Sequence, residues 1–469
     1  MNTTSAATKA QLFDEMYAKG SVLNGWSAVL NLNYEYLARR LQRQWSGDAS
    51  GNRRVVLLSA QPLAVGQVSA KASARGISQM EFVLGAPQVS LVSGRPALAI
   101  SHPIRQVLGR SGTSSVVPTN ANDAGVTWDT DSAVNVPTHS AARLDAEIPL
   151  RIRQVAGTDA NIAPVFDVVM DIAGATASAH NLPAAAGDSG TLVRQVLATL
   201  GDTDGKLVIA TLDSGTQADL PALQPRSVAL LTVHTPAGHQ ILQVHIATGD
   251  TAAPSSTGVD LGEPLPIVDG ADWSLLFNSQ KVFQDVVAPE FNILSQHVKL
   301  AAAAPPGGKG AWYLQTQNRM YFQGTVDWGD AMPPVNQQAQ IGLDFSGSPT
   351  QGLVVSTYTS PGANVDLQFA IEQSYPVKCS GNPGEQTLSF AGTPAMVNGA
   401  GVAENTFKPY LDQILGQEIR SDLDATSLAS LAAFALRTVH FPGDEAVIDV
   451  VQIPGDLVMV GNLDSIAQG

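Results

Sequence analysis

The chain has 469 residues, a formal net charge of -15 and a sequence pI near 4.8. Nucleic acids and anionic membrane surfaces bind clustered lysine and arginine, so this charge disfavours both as partners. The single cysteine, Cys379, excludes an internal disulfide, and no Cys/His cluster has zinc-site spacing, so we expect no metal and no other cofactor.

The N-terminus is predicted to be a polar tail over residues 1–20. It lacks the apolar core of a signal peptide, and the longest apolar run, around Leu428 to Leu436, is too short to span a bilayer. We therefore expect a soluble protein with no integral membrane segment, either cytoplasmic or exported without a conventional signal peptide.

The first structured segment is predicted at Gly25 to Trp45, GWSAVLNLNYEYLARRLQRQW, where an alternating strand pattern changes into a helical one. Asn33 is the expected N-cap of this helix. The pairs Arg39-Arg40 and Arg53-Arg54 are interpreted as solvated helix or turn positions. The helix carries an apolar stripe formed by Tyr34, Leu37, Ala38, Leu41 and Trp45.

Most of the remaining chain reads as strands separated by turn residues. Alternating apolar and polar residues run through AEIPLRIRQV, VFDVVMDIA, NVDLQFAIEQ and DEAVIDVVQIPGDLVMV. The segment SVALLTVHTPAGHQILQVHIATG is typical of a hairpin that turns at Pro236-Ala237-Gly238. This pattern predicts a large, twisted, mainly antiparallel sheet.

One string raises the possibility of catalysis. GDSGTLV, Gly187 to Val193, contains the Gly-Asp-Ser-Gly sequence that surrounds the nucleophile of chymotrypsin-like serine proteases. Ser189 would be the nucleophile, with His139 as its base and Asp145 or Asp167 as the orienting acid. The sequence before His139 lacks the expected small residues, so we favour a polar turn and expect no enzymatic activity.

The other polar clusters have simpler interpretations. His234, His239 and His245 are expected to be sheet-surface histidines, because none has the spacing of a zinc pair on one helix. GDTDGK, Gly201 to Lys206, is interpreted as an Asp-Gly turn, because its residues do not match the ligand positions of a calcium loop.

A connector rich in Pro, Gly, Ser and Thr is predicted at residues 249–270, between two halves of the chain. After it, a second amphipathic helix is expected from about Ser279 to Leu294, with Pro289 as a kink. Two further helices are predicted in AENTFKPYLDQILGQEI and ATSLASLAAFALRTV.

The start of each predicted half contains a similar segment. GWSAVLNLNYEYL and DWSLLFNSQKVFQ share Trp-Ser, at Trp26 and Trp273, and an Asn four residues after the Ser, at Asn31 and Asn278. Both segments change from a strand into an amphipathic helix, which is what an internal repeat predicts. Chance similarity remains the alternative, since the identities are few. Trp26 and Trp273 are expected to anchor the two strands.

NGWSAVLNLNYEYLARRL resembles the N-terminal signature of the clostridial forty-seven-kilodalton accessory proteins of botulinum-type neurotoxin clusters, with Ser27 where that family commonly has an acidic residue. The closing QIPGDLVMVGNL and the overall length agree with this resemblance. Those proteins belong to the tubular lipid-binding (TULIP) superfamily. The resemblance implies helices wrapped by a highly curved antiparallel sheet, binding of lipid or another hydrophobic ligand, and a role beside a toxin system.

We therefore expect an α+β, strand-dominated, elongated TULIP-like fold, with long amphipathic helices wrapped by curved antiparallel sheet and two related halves at 21–248 and 271–469. The predicted function is non-catalytic binding of a lipid or fatty-acid-like ligand, with a protein partner from the same gene cluster. The alternative is a structural or interaction protein with a closed core and a partner-binding sheet surface. The residues expected to line the apolar seam are Tyr34, Leu37, Leu41, Trp45, Phe283, Val286, Val287 and Phe291.

Overall fold

The computed structural model is built mainly of antiparallel strand pairs. It describes residues 9–44, 52–62, 75–114, 126–128, 134–136, 142–155, 164–181, 196, 206–213, 215, 220–234, 240–261, 267–308, 310–327, 333–359, 369–399 and 402–465.

The helices alternate between α-helical and π-helical geometry in the second part of the chain. Uninterrupted α-helical stretches in the described ranges reach 12 residues, so the prediction of long amphipathic helices stays unconfirmed. In chain order the helices are α1 (Lys9–Lys19), α2 (Tyr34–Gln44), α3 (Ser279–Lys281, π-helical Val282–Val287 and Ala288–Leu294), α4 (Val402–Gln413, π-helical Ile414–Ile419 and Arg420–Ala425) and α5 (Ala429–Ala433 and π-helical Phe434–Thr438).

Strands dominate the fold, as predicted. In chain order they are β1 (Ala28–Asn33), β2 (Arg53–Pro62), β3 (Arg75–Leu84), β4 (Gln88–Leu91), β5 (Ala97–Ser114), β6 (Val126–Trp128), β7 (Val134–Val136), β8 (Arg143–Val155), β9 (Val165–Asp171), β10 (Thr176–His180), β11 (Lys206–Asp213), β12 (Pro225–His234), β13 (Gln240–Thr248), β14 (Trp273–Phe277), β15 (Leu300–Ala303), β16 (Tyr313–Thr316), β17 (Met320–Val326), β18 (Val335–Ser348), β19 (Gly352–Thr359), β20 (Phe369–Glu372), β21 (Ser374–Tyr375), β22 (Val377–Ser380), β23 (Thr387–Phe390), β24 (Met396–Gly399), β25 (Val439–His440), β26 (Asp444–Gln452) and β27 (Leu457–Ser465).

The chain divides into two compact units. The first comprises residues 1–33, 152–167 and 210–469, and the second comprises 34–151 and 168–209. The boundaries fall inside β8, β9 and β11, and the chain leaves the first unit where β1 ends. The expected division into two related halves at 21–248 and 271–469 stays a prediction.

The first unit is built on a six-stranded sheet in the order β12-β13-β1-β14-β27-β26. The two strands that follow the Trp-Ser segments are neighbours at its centre, with Ala28 of β1 opposite Phe277 of β14. The predicted hairpin of β12 and β13 is confirmed, with His234 opposite Gln240. Its turn at 235–239 lies outside the described residues.

The N-terminal segment differs from the predicted polar tail. Lys9–Lys19 forms α1, whose Leu12, Phe13 and Met16 are buried in the core that covers one face of the central sheet. These three residues share one helix face at i, i+1 and i+4, a short stripe that the polar composition of the segment concealed.

Part of the predicted connector also packs on this core. Residues 249–261, here called the strap, run without helix or strand after β13. The Asp260 amide donates to Val22 O at 2.8 Å, and Val259 and Leu261 pack against the core. A segment with loop-like composition is therefore held by specific contacts.

Most of the second unit's strands belong to a sheet that contains the order β2-β3-β5-β8-β9-β11, in which β4, β6 and β7 pair with β5 and β10 pairs with β8. Along β8 the predicted alternation is confirmed at Ile148 and Leu150, which are buried while their neighbours are more exposed, whereas Ile152 further along is only half-buried. In β9, by contrast, five consecutive residues from Phe166 are buried, because both faces are covered.

A further sheet of the first unit runs in the order β15-β16-β18-β19-β21, with β17 on β18. The predicted strand NVDLQFAIEQ is observed as β20, over Phe369–Glu372, which pairs with β24. Residues 360–368 lie outside the described ranges. The predicted helix at Ser279 to Leu294 is confirmed as α3. Its π-helical segment ends two residues before Pro289, whose ring and missing N–H disfavour regular α-helical bonding.

Candidate ligand-binding seam

The stripe predicted on the first helix faces the interior of the second unit. Leu37 and Leu41 are buried, Tyr34 is half-buried, and Trp45 lies outside the described residues. The α2 helix packs on β4, and Gln42 Nε2 donates to Pro87 O at 3.5 Å beside that strand. The helix period therefore places the predicted leucines together, as expected.

Arg40 corrects the interpretation of the Arg39-Arg40 pair. Arg39 is exposed, but Arg40 is only 5% exposed. Its Nη1 donates to Tyr36 Oη at 3.1 Å and to Ile209 O at 2.7 Å, and its Nη2 donates to Val208 O at 2.9 Å. Arg40 lies four residues after buried Tyr36 and three after Leu37, so the helix period places it on the buried face even though its charge suggests exposure.

The stripe predicted on the second helix is enclosed within the first unit. Phe283, Val286, Val287 and Phe291 are at most 1% exposed. They lie on α3, which packs on β15 and on the last turns of α4. Since solvent reaches almost none of their surface, a ligand can contact these four side chains only if neighbouring side chains move.

The start of α3 is tied to the N-terminal segment by a buried carboxylate. Asp456 Oδ1 accepts the Ser279 amide at 2.8 Å, and Oδ2 accepts the Val22 amide at 2.8 Å and the Ser21 hydroxyl at 3.2 Å. Burial raises the pKa of Asp456 to about 6, although these donors act in the opposite direction. Sequence reasoning missed this residue, and its only signal was an acidic side chain inside the apolar run QIPGDLVMV.

The two tryptophans of the repeated segments, expected to anchor their strands, are buried. Trp26 Nε1 donates to Ser256 O of the strap at 2.8 Å, and Trp273 Nε1 donates to Asn462 O of β27 at 3.1 Å. Each indole therefore buries its ring and still pairs its one polar group.

A cavity of about 700 Å³ lies on the wetter face of the second unit's sheet, lined by β4, β5, β8 and β10. Its carboxylates are paired: Glu147 contacts Arg95 Nη2 at 2.5 Å, and Asp145 contacts Arg143 Nε at 2.8 Å. Burial raises the pKa of Asp145, but hydrogen bonds from Ser101 and Arg143 outweigh that effect and lower it overall. The lining mixes polar and apolar side chains, and it contains none of the residues predicted for the apolar seam.

A second cavity, of about 470 Å³, lies in the first unit between β19, β20 and β24. Its lining includes the apolar side chains Val354, Ile371 and Met396, of which Met396 is exposed. Gln373 is also part of the lining, and its Nε2 donates to Leu415 O at 3.1 Å.

The proposed hydrolase residues are only partly described. Ser189 and His139 lie outside the described ranges, while the Asp167 carboxylate accepts hydrogen bonds from Arg153 and Thr211. Asp145 lies near a different serine and histidine, but Ser178 Oγ and Asp145 Oδ2 both contact the same nitrogen, His180 Nε2, at 3.1 and 3.2 Å. A catalytic triad uses the two opposite ring nitrogens, so this trio lacks triad geometry.

Two absences hold for the part of the chain that the structure describes. It contains no group of three or more His, Cys, Asp or Glu side chains arranged to hold a metal ion. The same ranges contain no helix that is long and apolar enough to cross a membrane.

Comparison with solved structures identifies the fold. P47 of Clostridium botulinum E1 aligns with a TM-score of 0.52 at 9% identity, covering 95% of this chain and 100% of P47. P47 of Clostridium botulinum A2 aligns with a TM-score of 0.50 at 10% identity, covering 95% and 99%. The chain has a P47-like fold.

More distant and sequence-based comparisons add little to the P47-like assignment. A lipopolysaccharide binding protein aligns over 94% of this chain and 99% of its own at 13% identity, but the TM-score of 0.33 is too low to bear on fold or function. No protein-family model matches the sequence, and no curated protein matches it significantly.

Proposed function

We propose that this protein is a non-catalytic binder of a lipid or a similar hydrophobic ligand, held between apolar helix stripes and curled sheet. The observation that carries the proposal is the α2 stripe, in which Leu37 and Leu41 face the interior of a P47-like fold. An acyl chain in such a seam gains about 0.8 kcal/mol for each methylene it buries. The proposed contact residues are Tyr34, Leu37, Leu41, Trp45, Phe283, Val286, Val287 and Phe291.

Ligand entry requires side chains to move, and the α2 stripe is the better entrance. Tyr34 is half-buried at the start of α2, whereas the four residues proposed on α3 are enclosed. Displacement of Tyr34 would expose Leu37, which lies one turn further along the same face. We therefore place the first contact of the ligand at the N-terminal end of α2.

Native mass spectrometry and uptake of a fluorescent fatty acid test this proposal. Gently purified protein is expected to carry lipid and to take up the probe. Leu41→Phe, which adds volume in the stripe, is expected to reduce uptake, whereas Arg39→Ala on the exposed face of the same helix is expected to leave it unchanged. Absence of both co-purified lipid and uptake would contradict ligand binding.

The second candidate is a structural or interaction protein with a closed core and a partner-binding sheet surface. The near-complete burial of Phe283, Val286, Val287 and Phe291 favours it, because such packing is also that of an ordinary core. Under this candidate, Leu41→Phe destabilises the protein while neither the variant nor the native chain binds the probe.

An accessory role in a bacterial toxin system is a narrower proposal. It is supported by the resemblance of the N-terminal segment to neurotoxin-cluster accessory proteins and by the P47-like fold. Toxin genes beside the coding gene, and co-purification of their products with this protein, are the expected findings. Neighbouring genes unrelated to toxins would contradict the proposal.

A further inference from the structure

Two buried polar side chains lie on the same face of β13, in the central sheet of the first unit. Gln243 is 2% exposed and His245 is 0% exposed, so the expectation of a sheet-surface histidine is wrong for His245. Residues two apart on a strand share a face, and this face carries the core that contains Ile241 and Ala247. Both side chains are therefore surrounded largely by apolar groups.

The hydrogen bond that His245 accepts fixes which of its two ring nitrogens carries the proton. Its Nε2 accepts the backbone amide of Gly258 in the strap at 3.2 Å, so that nitrogen carries a lone pair. Burial lowers the pKa of His245 to about 4, so the ring is neutral at neutral pH. The single ring proton must then reside on Nδ1, which makes no hydrogen bond within the described part of the structure.

Gln243 presents the complementary group. Its Nε2 donates to Asn31 Oδ1 at 2.9 Å, and Asn31 Nδ2 donates to Ser274 Oγ at 3.1 Å. Gln243 Oε1 remains a buried acceptor with no hydrogen-bond partner among the described residues. A buried donor and a buried acceptor thus lie two residues apart on one strand face, and they do not bond to each other.

We propose that one buried water molecule bridges His245 Nδ1 and Gln243 Oε1. Side chains two residues apart on a strand stand about 6.8 Å apart, and a water with two hydrogen bonds of about 2.8 Å spans up to about 5.6 Å, so one water suffices once the side chains lean together. The water accepts a hydrogen bond from His245 Nδ1–H and donates one to Gln243 Oε1. Buried waters commonly occupy such positions between otherwise unpaired polar groups.

This water completes a hydrogen-bonded row across the core. The row runs from Ser274 on β14 through Asn31 on β1 to Gln243 on β13, and then through the water and His245 to the amide of Gly258. It joins the strap to the centre of the sheet. The inference is independent of the proposed ligand, because it concerns polar side chains within the core of the first unit and needs no lipid.

A crystal structure of the native protein at about 1.5 Å tests the proposal. The expected result is a fully occupied water within hydrogen-bond distance of His245 Nδ1 and Gln243 Oε1. Nitrogen-15 NMR of histidine-labelled protein should place the proton of His245 on Nδ1. A direct bond between Gln243 and His245, an empty gap between them, or a proton on Nε2 would overturn the proposal.

Matched variants provide a second test. Gln243→Met removes the acceptor with little change in volume, and Ser274→Ala cuts the same polar row at its other end without touching the proposed water. Oxygen-17 relaxation dispersion is expected to show one fewer long-lived water in Gln243→Met than in the native protein, and the native number in Ser274→Ala. An equal number in all three proteins would contradict the bridge, and the native crystal structure decides the question if a variant fails to fold.

Discussion

Asn31 and Ser274 lie directly opposite each other on the paired strands β1 and β14, and Asn31 Nδ2 donates to Ser274 Oγ at 3.1 Å. Asn31 belongs to the first Trp-Ser segment and Ser274 to the second. The same pairing brings together their counterparts, since the Asn278 amide donates to Ser27 O at 2.9 Å. The first contact joins two side chains and the second joins two backbone groups, but exchanging the two segments exchanges the paired residue positions, as an approximate two-fold axis between related strands would require.

The order of the whole sheet agrees with this relationship. Outward from the centre, β1 and β14 are flanked by β13 and β27, and these by β12 and β26. Each flanking pair is an antiparallel hairpin. This arrangement supports an internal repeat at the level of the central sheet, while the extent of the two related halves stays a prediction.

Phe283→Ala is expected to lower the free energy of unfolding by about 3–5 kcal/mol, because the ring is fully buried on α3 and its removal leaves a cavity. Urea denaturation measures the change. Tyr321→Ala is the matched control, since Tyr321 is 70% exposed and its loss should change stability by no more than about 0.5 kcal/mol. Equal effects would show that α3 is loosely packed.

Asp456→Asn is expected to lower the free energy of unfolding at pH 7 by about 1–3 kcal/mol. The NH₂ group of the asparagine would face one of the two backbone N–H groups, of Val22 or Ser279, whose hydrogen bond the carboxylate now accepts. The pH dependence has a defined sign. With its pKa raised to about 6, folded Asp456 binds a proton more tightly than the unfolded chain does. Its contribution to stability therefore falls as pH rises from about 4 to 6.

The measurement for Asp456 is urea denaturation at several pH values, comparing native and variant proteins. The difference in unfolding free energy between them should change across the interval from pH 4 to 6 and be constant above about pH 7. A difference that is the same at every pH would show that this carboxyl group titrates alike in the folded and unfolded states.

His245→Gln is expected to reduce the loss of stability on acidification. The folded pKa of about 4 lies below the ordinary 6.5, so the unfolded chain takes up the proton first as pH falls through that window, and unfolding becomes easier. Thermal unfolding between pH 7 and 4 checks this. Burial also lowers the pKa of His102, so part of the loss of stability on acidification should remain in the variant. His440→Gln, at an exposed site, is the control.

Gly20→Ala is expected to destabilise the protein by more than Gly270→Ala. Both glycines have positive φ, at 78° and 80°, so each alanine carries a similar backbone penalty of about 1 kcal/mol. A Cβ on Gly20 would lie 2.3 Å from Gly310 Cα, whereas a Cβ on Gly270 meets nothing within 4 Å. Comparable melting temperatures for the two variants would disprove the close approach at the end of α1.

Arg40→Lys is expected to cost about 1–3 kcal/mol, because a lysine ammonium cannot reproduce the planar set of bonds to Tyr36, Ile209 and Val208. Arg39→Lys, at the exposed neighbouring position, should be nearly neutral. Urea denaturation of the two variants measures this contrast. Equal stability would place the Arg40 guanidinium in solvent, as its charge alone suggests.

Local periodicity was sufficient to predict the helices and strands that have a strong apolar pattern. The stripe of α2, the extent of α3 and the hairpin of β12 and β13 all follow from the spacing of apolar side chains, because that spacing reflects which face of an element is buried. The Trp-Ser segment and the closing QIPGDLVMV also sufficed to indicate the P47-like fold.

The burial of individual polar side chains could not be predicted from local periodicity. Arg, His and Asp are residue types that usually face solvent, but Arg40, His245 and Asp456 are buried because chain segments distant in sequence supply their hydrogen-bond partners. These segments are β11 for Arg40, the strap for His245, and the segment after α1 together with the start of α3 for Asp456. Helix and strand periods are local properties of a sequence. Which carbonyl or amide meets a buried side chain depends on how the chain returns to that position, and that is set only when the sheets and helices pack.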